Sequence, residues 1–311
     1  VALSLCRGAV TAVLERHEGL ARIEVDGVPC VAYPRLTGPV ALGDDVVVNT
    51  QARDLGLGSG GFDVLYANLT RGLGLAAEGG AHVMKLPYTP GQLAARHAEE
   101  EGLPAESLDG LPVVCCSLHS QVVPVCAALR GLRVVCVQLE GGALPLALSD
   151  AVRELQARGW ITATATVGAC FGGDVECVSV WSALAWAKAH GAEVAVCAVG
   201  PGIVGTGTRL GHGGTAAAAA ANAALGLGGR AVVAARRSDA DARERHRGVS
   251  HHTRAVLELV LGEVAVGEDG AGWEEACSAL PLSHMGRGPN EDPAFFEAAY
   301  AAGRLARELA R

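Results

Sequence analysis

The hydrophobic and polar positions fall into two rhythms. Over roughly the first eighty residues, short alternating runs at residues 8–14, 21–25, 28–33, 46–50 and 62–69 read as strands. Asp26-Gly27 is a hairpin signal, and Leu42-Gly43-Asp44-Asp45 turns the chain into the next run. Short strands with frequent turns predict a small barrel or sandwich. Residues 93–101 read as a brief helix, and 102–112 as a boundary, giving a small β domain over 1–105 and a second domain over 106–311.

The second rhythm alternates apolar strand-like runs (112–118, 133–139, 161–167, 193–199, 231–235) with helical segments (122–129, 150–158, 175–190, 215–225, 250–261). Continuous Val/Ala/Cys runs separated by crossover-length helices predict a mainly parallel, three-layer, Rossmann-like α/β sheet. Residues 291–311 read as a terminal helix with Asp292-Pro293 near its start. Strand order cannot be read from the pattern.

Composition narrows the picture. Half of the 311 residues are hydrophobic but only 4% aromatic, so the core is built from small and branched aliphatics. A net charge of −8 gives no electrostatic support for nucleic-acid binding. Ten cysteines occur with no CxxC pair, several inside apolar strand runs, which fits buried thiols in a reducing compartment. No signal peptide is read at the start, and the apolar stretch at 216–224 is too short for a bilayer. A cytoplasmic protein without a membrane partner is expected.

In parallel α/β sheets ligands bind beyond the carboxyl ends of the strands. The segments there are 118–121, 168–174, 200–208 and 236–250, all polar or glycine-rich. Residues 200–214 hold seven glycines, and 200–205 match GxGxxG, but after the fourth strand of the domain rather than the first. Gly202, Gly205, Thr206, Gly207 and Thr208 either cradle an anion through backbone N–H groups or make a plain tight crossover. Cys170 is a nucleophile if a histidine activates it, and otherwise a small residue in a turn. Asp174 either caps the 175–190 helix or orients a histidine or a metal. His119 stands at a strand end.

Residues 243–253 carry the strongest chemistry, with three arginines and three histidines in eleven positions. Ser250 is the expected N-cap of the next helix, which puts His251 and His252 in its first turn, where neutral imidazole is favoured. Neutral histidines suit proton transfer or ligation, and Arg243, Arg245 and Arg247 suit carboxylate or phosphate. The bland alternative is a salt-bridged loop in which Asp239, Asp241 and Glu244 pair with those arginines. No HxH or HExxH element is present, so a metal site would have to be assembled from separate loops, such as His119, Asp174, His246 and His251; no metal or cofactor is assigned.

The strings 49–50, 55–61, 82–90, 168–174, 200–208 and 244–253 resemble an uncharacterised bacterial family, domain of unknown function 3866, over nearly the whole chain. The resemblance implies a bacterial cytoplasmic protein and carries no activity or site residue with it. The residues themselves point to a small-molecule hydrolase or transferase acting on an anionic or phosphorylated metabolite. His119, Asp174, His246 and His251 are the proton-handling candidates, and the glycine loop, Arg245, Arg247 and His252 hold the anion. Asn49, Thr50, Lys85 and Tyr88 of the first domain and Cys170 form a second tier. The competing class is a non-catalytic anion-binding or regulatory module. The Ala/Val-rich helices leave room for a homo-oligomer.

Overall fold

The computed structural model describes residues 2–56, 61–76, 79–102 and 105–311. The glycine-rich string at 57–60, the residues 103–104 within the expected boundary segment, and positions 1, 77 and 78 lie outside the described residues. The chain divides into two compact units, Val1–Ala95 and Arg96–Arg311.

The first unit is a closed five-stranded barrel: β1 (Leu5–His17), β2 (Leu20–Val25), β3 (Val28–Ala32), β4 (Asp45–Asn49) and β5 (Asp63–Asn68), in the order β1-β2-β3-β5-β4. Asp26 and Gly27 both take positive φ (49° and 76°), the two-residue turn that matches strand twist between β2 and β3. β1 runs longer than its alternation predicted, and two register shifts along its pairing with β2 let one strand bend around the barrel. Inward residues Val10, Ile23, Val25, Cys30, Val46, Val48 and Leu65 fill the interior. Short helices α1 (Pro34–Thr37) and α2 (Gln51–Asp54) connect strands. The expected helix at 93–101 is a misreading. Leu93–Ala95 is a strand, β7, paired with β6 (Val83–Lys85), and only Ala98–Glu101 makes a 3-10 turn. Pairing with a partner strand overrode local propensity.

The second unit is a seven-stranded, wholly parallel sheet in the order β11-β10-β9-β12-β8-β13-β16. Its strands are β8 (Pro112–Cys116), β9 (Val134–Leu139), β10 (Ala163–Val167), β11 (Val175–Cys177), β12 (Val194–Val199), β13 (Arg230–Ala234) and β16 (Ala265–Val266). A two-stranded antiparallel ribbon, β14 (Arg237–Ser238) with β15 (Gly248–Val249), follows β13 in sequence. The central strands are buried on both faces, as the unbroken apolar runs required. One face packs α5 (Val180–Ala189), α6 (Ala216–Gly226) and α7 (His251–Leu259). The other packs α3 (Val122–Ala128), α4 (Asp150–Ala157), α8 (Trp273–Cys277) and α9 (Pro293–Leu309). The expected helix at 175–190 begins later, at Val180, with Ser179 as its N-cap; Asp174 does not cap it, because Val175–Cys177 is taken up as a sheet edge. Among the described residues no helix is long and apolar enough to cross a membrane.

The chain leaves β8 toward α3 on one face, whereas it leaves the flanking strands β12 and β13 toward α6 and α7 on the other. Connections that diverge from neighbouring strands mark their carboxyl ends as the usual ligand position in such sheets. Register puts the three ends level, with Cys116 of β8 beside Ala198 of β12 and Ala234 of β13.

Candidate functional site

Three segments meet at those strand ends: 117–121 after β8, 200–215 after β12 and 235–250 after β13. Ser250 is the N-cap of α7, its Oγ accepting the His252 N–H at 3.2 Å, so His251 and His252 occupy the first turn as the sequence predicted. The loop before it folds back through the β14–β15 ribbon and a turn at Glu244–His246, which buries His246 against the same helix start, 2.8 Å from Ser250 Oγ. The segment after β12 contributes His212. Four imidazoles therefore converge: His212 stacks on His252 with centroids 3.8 Å apart and planes 16° apart, and His251 lies 4.5 Å from His252 and 4.8 Å from His246.

All four titrate below the ordinary histidine range, with burial the first cause. Burial and the guanidinium of Arg236 hold His246 near 3; His252 is pushed down by burial, then by its histidine neighbours and Arg236. Burial lowers His212, which the Arg209 carbonyl offsets in part without completing a hydrogen bond. His251 is lowered by burial and by His212. At neutral pH this is a cluster of uncharged rings.

Beside it runs a buried charge network. Arg236 (2% exposed) has its backbone N–H on Thr253 Oγ1, NH1 on His252 Nδ1 at 3.2 Å and NH2 on Asp241 at 3.4 Å. Asp241 (1% exposed) also accepts Arg243 through both carboxylate oxygens and Arg287 at 3.4 Å, which holds it far below the carboxylate range, the Arg243 hydrogen bonds leading. Arg287 bridges to Asp292, which accepts Ser238 Oγ at 2.6 Å. His284 completes the wall. Its ring stacks on Phe295 at 3.7 Å, its Nδ1 faces Ser120 Oγ at 3.1 Å, and burial followed by Arg236 pushes it down to about 3. Three guanidinia thus share two carboxylates, leaving an excess of one positive charge, with Arg236 buried and Arg287 and Arg243 partly exposed. The exposed Arg245 guanidinium, over Gly207, adds another.

Eight buried side-chain atoms among the described residues have no protein partner, and six belong here: Ser117 Oγ, both nitrogens of His212, Arg236 Nε, His251 Nε2 and His284 Nε2. Buried polar atoms are normally paired, since leaving one unmade costs about 1–3 kcal/mol.

Metal ligation has partial geometric support. One nitrogen each of His212, His251 and His252 lies within 4.8 Å of the others. But stacked rings aim their in-plane lone pairs along parallel planes rather than at one point, and His252 Nδ1 already receives Arg236.

The remaining sequence candidates sort by position. Arg247 is exposed beyond His246. The glycine loop is mostly a self-contained excursion. Thr206 N–H binds the Gly211 carbonyl at 2.6 Å, Gly205 pairs with His212, and Thr206 and Thr208 hydroxyls bond each other at 2.9 Å. Cβ atoms at Gly200 or Gly213 would collide with the carbonyls of Ala143 and Gly141, so those glycines serve backbone contact between loops. Gly202 is an exposed positive-φ turn. His119 uses both ring nitrogens: Nδ1 donates to the Val199 carbonyl at 3.1 Å and Nε2 meets Ser149 Oγ at 2.7 Å, pinning the α4 N-cap to the end of β12.

Asp174 is not among the convergent groups. It bonds Thr164 N and Oγ1 near the start of β10, at the amino end of the sheet, and β9, β12 and β8 separate β10 from β13, about 19 Å at ~4.8 Å per strand. Cys170 is fully buried in the loop after β10. In the barrel unit, Asn49 Oδ1 accepts Gln51 N–H, and Thr50 bonds Ser4 and Asp54. Lys85 is buried on β6 and Tyr88 is 91% exposed.

Along the sequence Arg236 stood out only as the first residue of the 236–250 segment and Asp292 only as a helix start, while His212, His284 and Arg287 were not singled out. His212 carried one signal, a histidine among glycines at a strand end. The others reach the site through tertiary contacts.

The chain matches the family model for a protein of unknown function, DUF3866, over residues 29–268, and belongs to that family. No curated protein matches it.

Proposed function

We propose that this protein binds an anionic small molecule at the carboxyl ends of β8, β12 and β13. Its neutral imidazoles then move a proton on the bound molecule, as in a hydrolase or transferase. One observation carries the reading: unpartnered buried N–H groups and imidazole nitrogens are concentrated there beside more guanidinium than carboxylate. An oxyanion would accept from Arg236 Nε and a ring N–H and offset the excess charge. His246 and His251 are the proton carriers: the charge of a bound anion raises the basicity that burial and the arginines depress, so that a ring can accept a proton from a bound hydroxyl or water. His119 acts by position, fixing the α4 start to the end of β12.

The test is calorimetric titration of the full chain with inorganic phosphate at pH 7.5, with melting temperature alongside. Millimolar or tighter binding, raised melting temperature and a several-fold weaker affinity in Arg245→Ala are expected. No heat and no thermal shift would sink the proposal. Binding without turnover of p-nitrophenyl phosphate would leave a binding module and remove the hydrolase.

A second reading, a divalent transition metal on His212, His251 and His252, is favoured by their nitrogen spacing. It requires His212 to leave its stack and Arg236 to release His252. Co2+ titration decides: a visible tetrahedral band that disappears in His251→Ala supports the metal, and an unchanged spectrum removes it.

A further inference from the structure

We propose that the ligand is a hydroxyl-bearing phosphomonoester, a sugar- or polyol-phosphate type of molecule. Its phosphoryl group would sit against Arg236 and Arg245, and a hydroxyl against His212. The inference rests on the anion-binding reading above and narrows its ligand class.

The hydroxyl follows from His212. Its ring is 5% exposed, and neither nitrogen completes a hydrogen bond within the protein, the Arg209 carbonyl being the one acceptor that acts on it. A neutral imidazole carries one N–H and one lone pair. Whichever tautomer holds, His212 needs a donor as well as an acceptor. Arg236 Nε, 2% exposed and also unpartnered, is a donor in every state, so it needs an acceptor. A bare oxyanion with no O–H of its own, such as sulfate, answers Arg236 and the His212 N–H but leaves the lone pair unmet. An ammonium group would meet the lone pair but would add positive charge beside Arg236, Arg243 and Arg287. A hydroxyl donates without charge. Ser117 Oγ, buried and unpartnered beside His212, can bond the same hydroxyl or its neighbour.

The phosphoryl group follows from charge. Arg236, Arg243 and Arg287 against Asp241 and Asp292 leave one positive charge, and Arg245 over Gly207 supplies a second. A phosphomonoester carries about −1.5 to −2 at neutral pH and matches that pair, whereas a monocarboxylate leaves one charge unanswered. Arg236 points from the end of β13 and Arg245 from the following loop, so the two approach from different elements, which suits the three oxygens of a tetrahedral group.

The experiment titrates the full chain at pH 7.5 with inorganic phosphate, glycerol 3-phosphate and lactate. Glycerol 3-phosphate is expected to bind about tenfold more tightly than phosphate, the worth of one well-made hydrogen bond, and lactate more weakly than either. In His212→Phe, which keeps a ring to stack on His252, the ratio of the two phosphate affinities falls to about one. If that variant does not fold, 15N spectra of the wild type answer instead: His212 nitrogens shift with glycerol 3-phosphate beyond their shift with phosphate. Equal affinities, a gain that survives His212→Phe, or lactate binding as tightly as glycerol 3-phosphate overturns the ligand class while leaving anion binding in place. Failure of phosphate itself to bind overturns both.

Discussion

Two buried carboxylates, one in each unit, sit among cationic partners with opposite outcomes. In the barrel, Asp44 (1% exposed) receives Arg71 through both oxygens, Asn68 Nδ2 at 2.8 Å and the Ala41 N–H at 2.8 Å. Asn68 in turn caps the Thr70 and Arg71 amides. The knot closes on itself, and among its members no buried side-chain atom is left over. In the α/β unit, Asp241 receives Arg236, Arg243 and Arg287, yet Arg236 Nε, both nitrogens of His212 and Nε2 of His251 and His284 stay unpartnered. Burial and charge are common to both. Completion of the hydrogen bonding separates them, and it marks one as a fastening and the other as a place for a ligand.

Acid should separate the two units most strongly. His246 and His284 fall to about 3 and His119 to about 4, each chiefly by burial, against 6.5 in an unfolded chain. A depressed histidine contributes stability that is complete above the unfolded value and is lost as pH falls toward the folded one, about 1.4 kcal/mol per pH unit for each ring as an upper figure. Asp44, held low first by Arg71, keeps its contribution above the unfolded carboxylate value near 4 and loses it only below. All four tryptophans (Trp160, Trp181, Trp186, Trp273) belong to the α/β unit, so their fluorescence reports that unit alone. Denaturant midpoints by fluorescence should begin to drop near pH 6, and phosphate should resist the drop. A midpoint flat down to pH 4.5 would break the contrast.

Substitution of the two carboxylates is the next largest effect. Asp241→Asn leaves three guanidinia without their shared anion and should cost about 3–5 kcal/mol, part of it recovered by added phosphate. Asp44→Asn should cost roughly 2 kcal/mol by unfolding in denaturant, with no recovery, since the barrel knot has no open position for an anion. Equal rescue of both variants would show that phosphate acts on the protein generally and erase the distinction. The smallest effect is that of Arg245→Ala, where melting temperature holds and only phosphate affinity drops.

Much of the fold was legible along the chain because it depends on local periodicity. Alternation in the barrel strands, the Asp26-Gly27 turn, the apolar runs of β8, β9 and β12 and the Ser250 cap each act within a few residues. Misreadings arose where a distant partner decided the outcome. Residues 93–95 pair with β6 instead of joining a helix, and Val175–Cys177 is recruited as an edge by β10, which carried Asp174 to the wrong end of the sheet. The site was half legible. His246, His251, His252 and Arg245 stood out as an unusual string, and of the expected salt-bridged loop the Asp241–Arg243 pair is formed. The network around that pair is incomplete.

By itself the sequence determined a small β domain, barrel or sandwich, followed by a parallel α/β sheet, and the end of that sheet where polar loops gather, because strand and helix periods and strand-end rules are written in order along the chain. Tertiary structure alone decided that β8 lies between β12 and β13, which brings His212, Arg236 and His284 together from positions up to 72 residues apart. Strand order is set by packing over the whole sheet, and so is the tally of which buried donors and acceptors find partners.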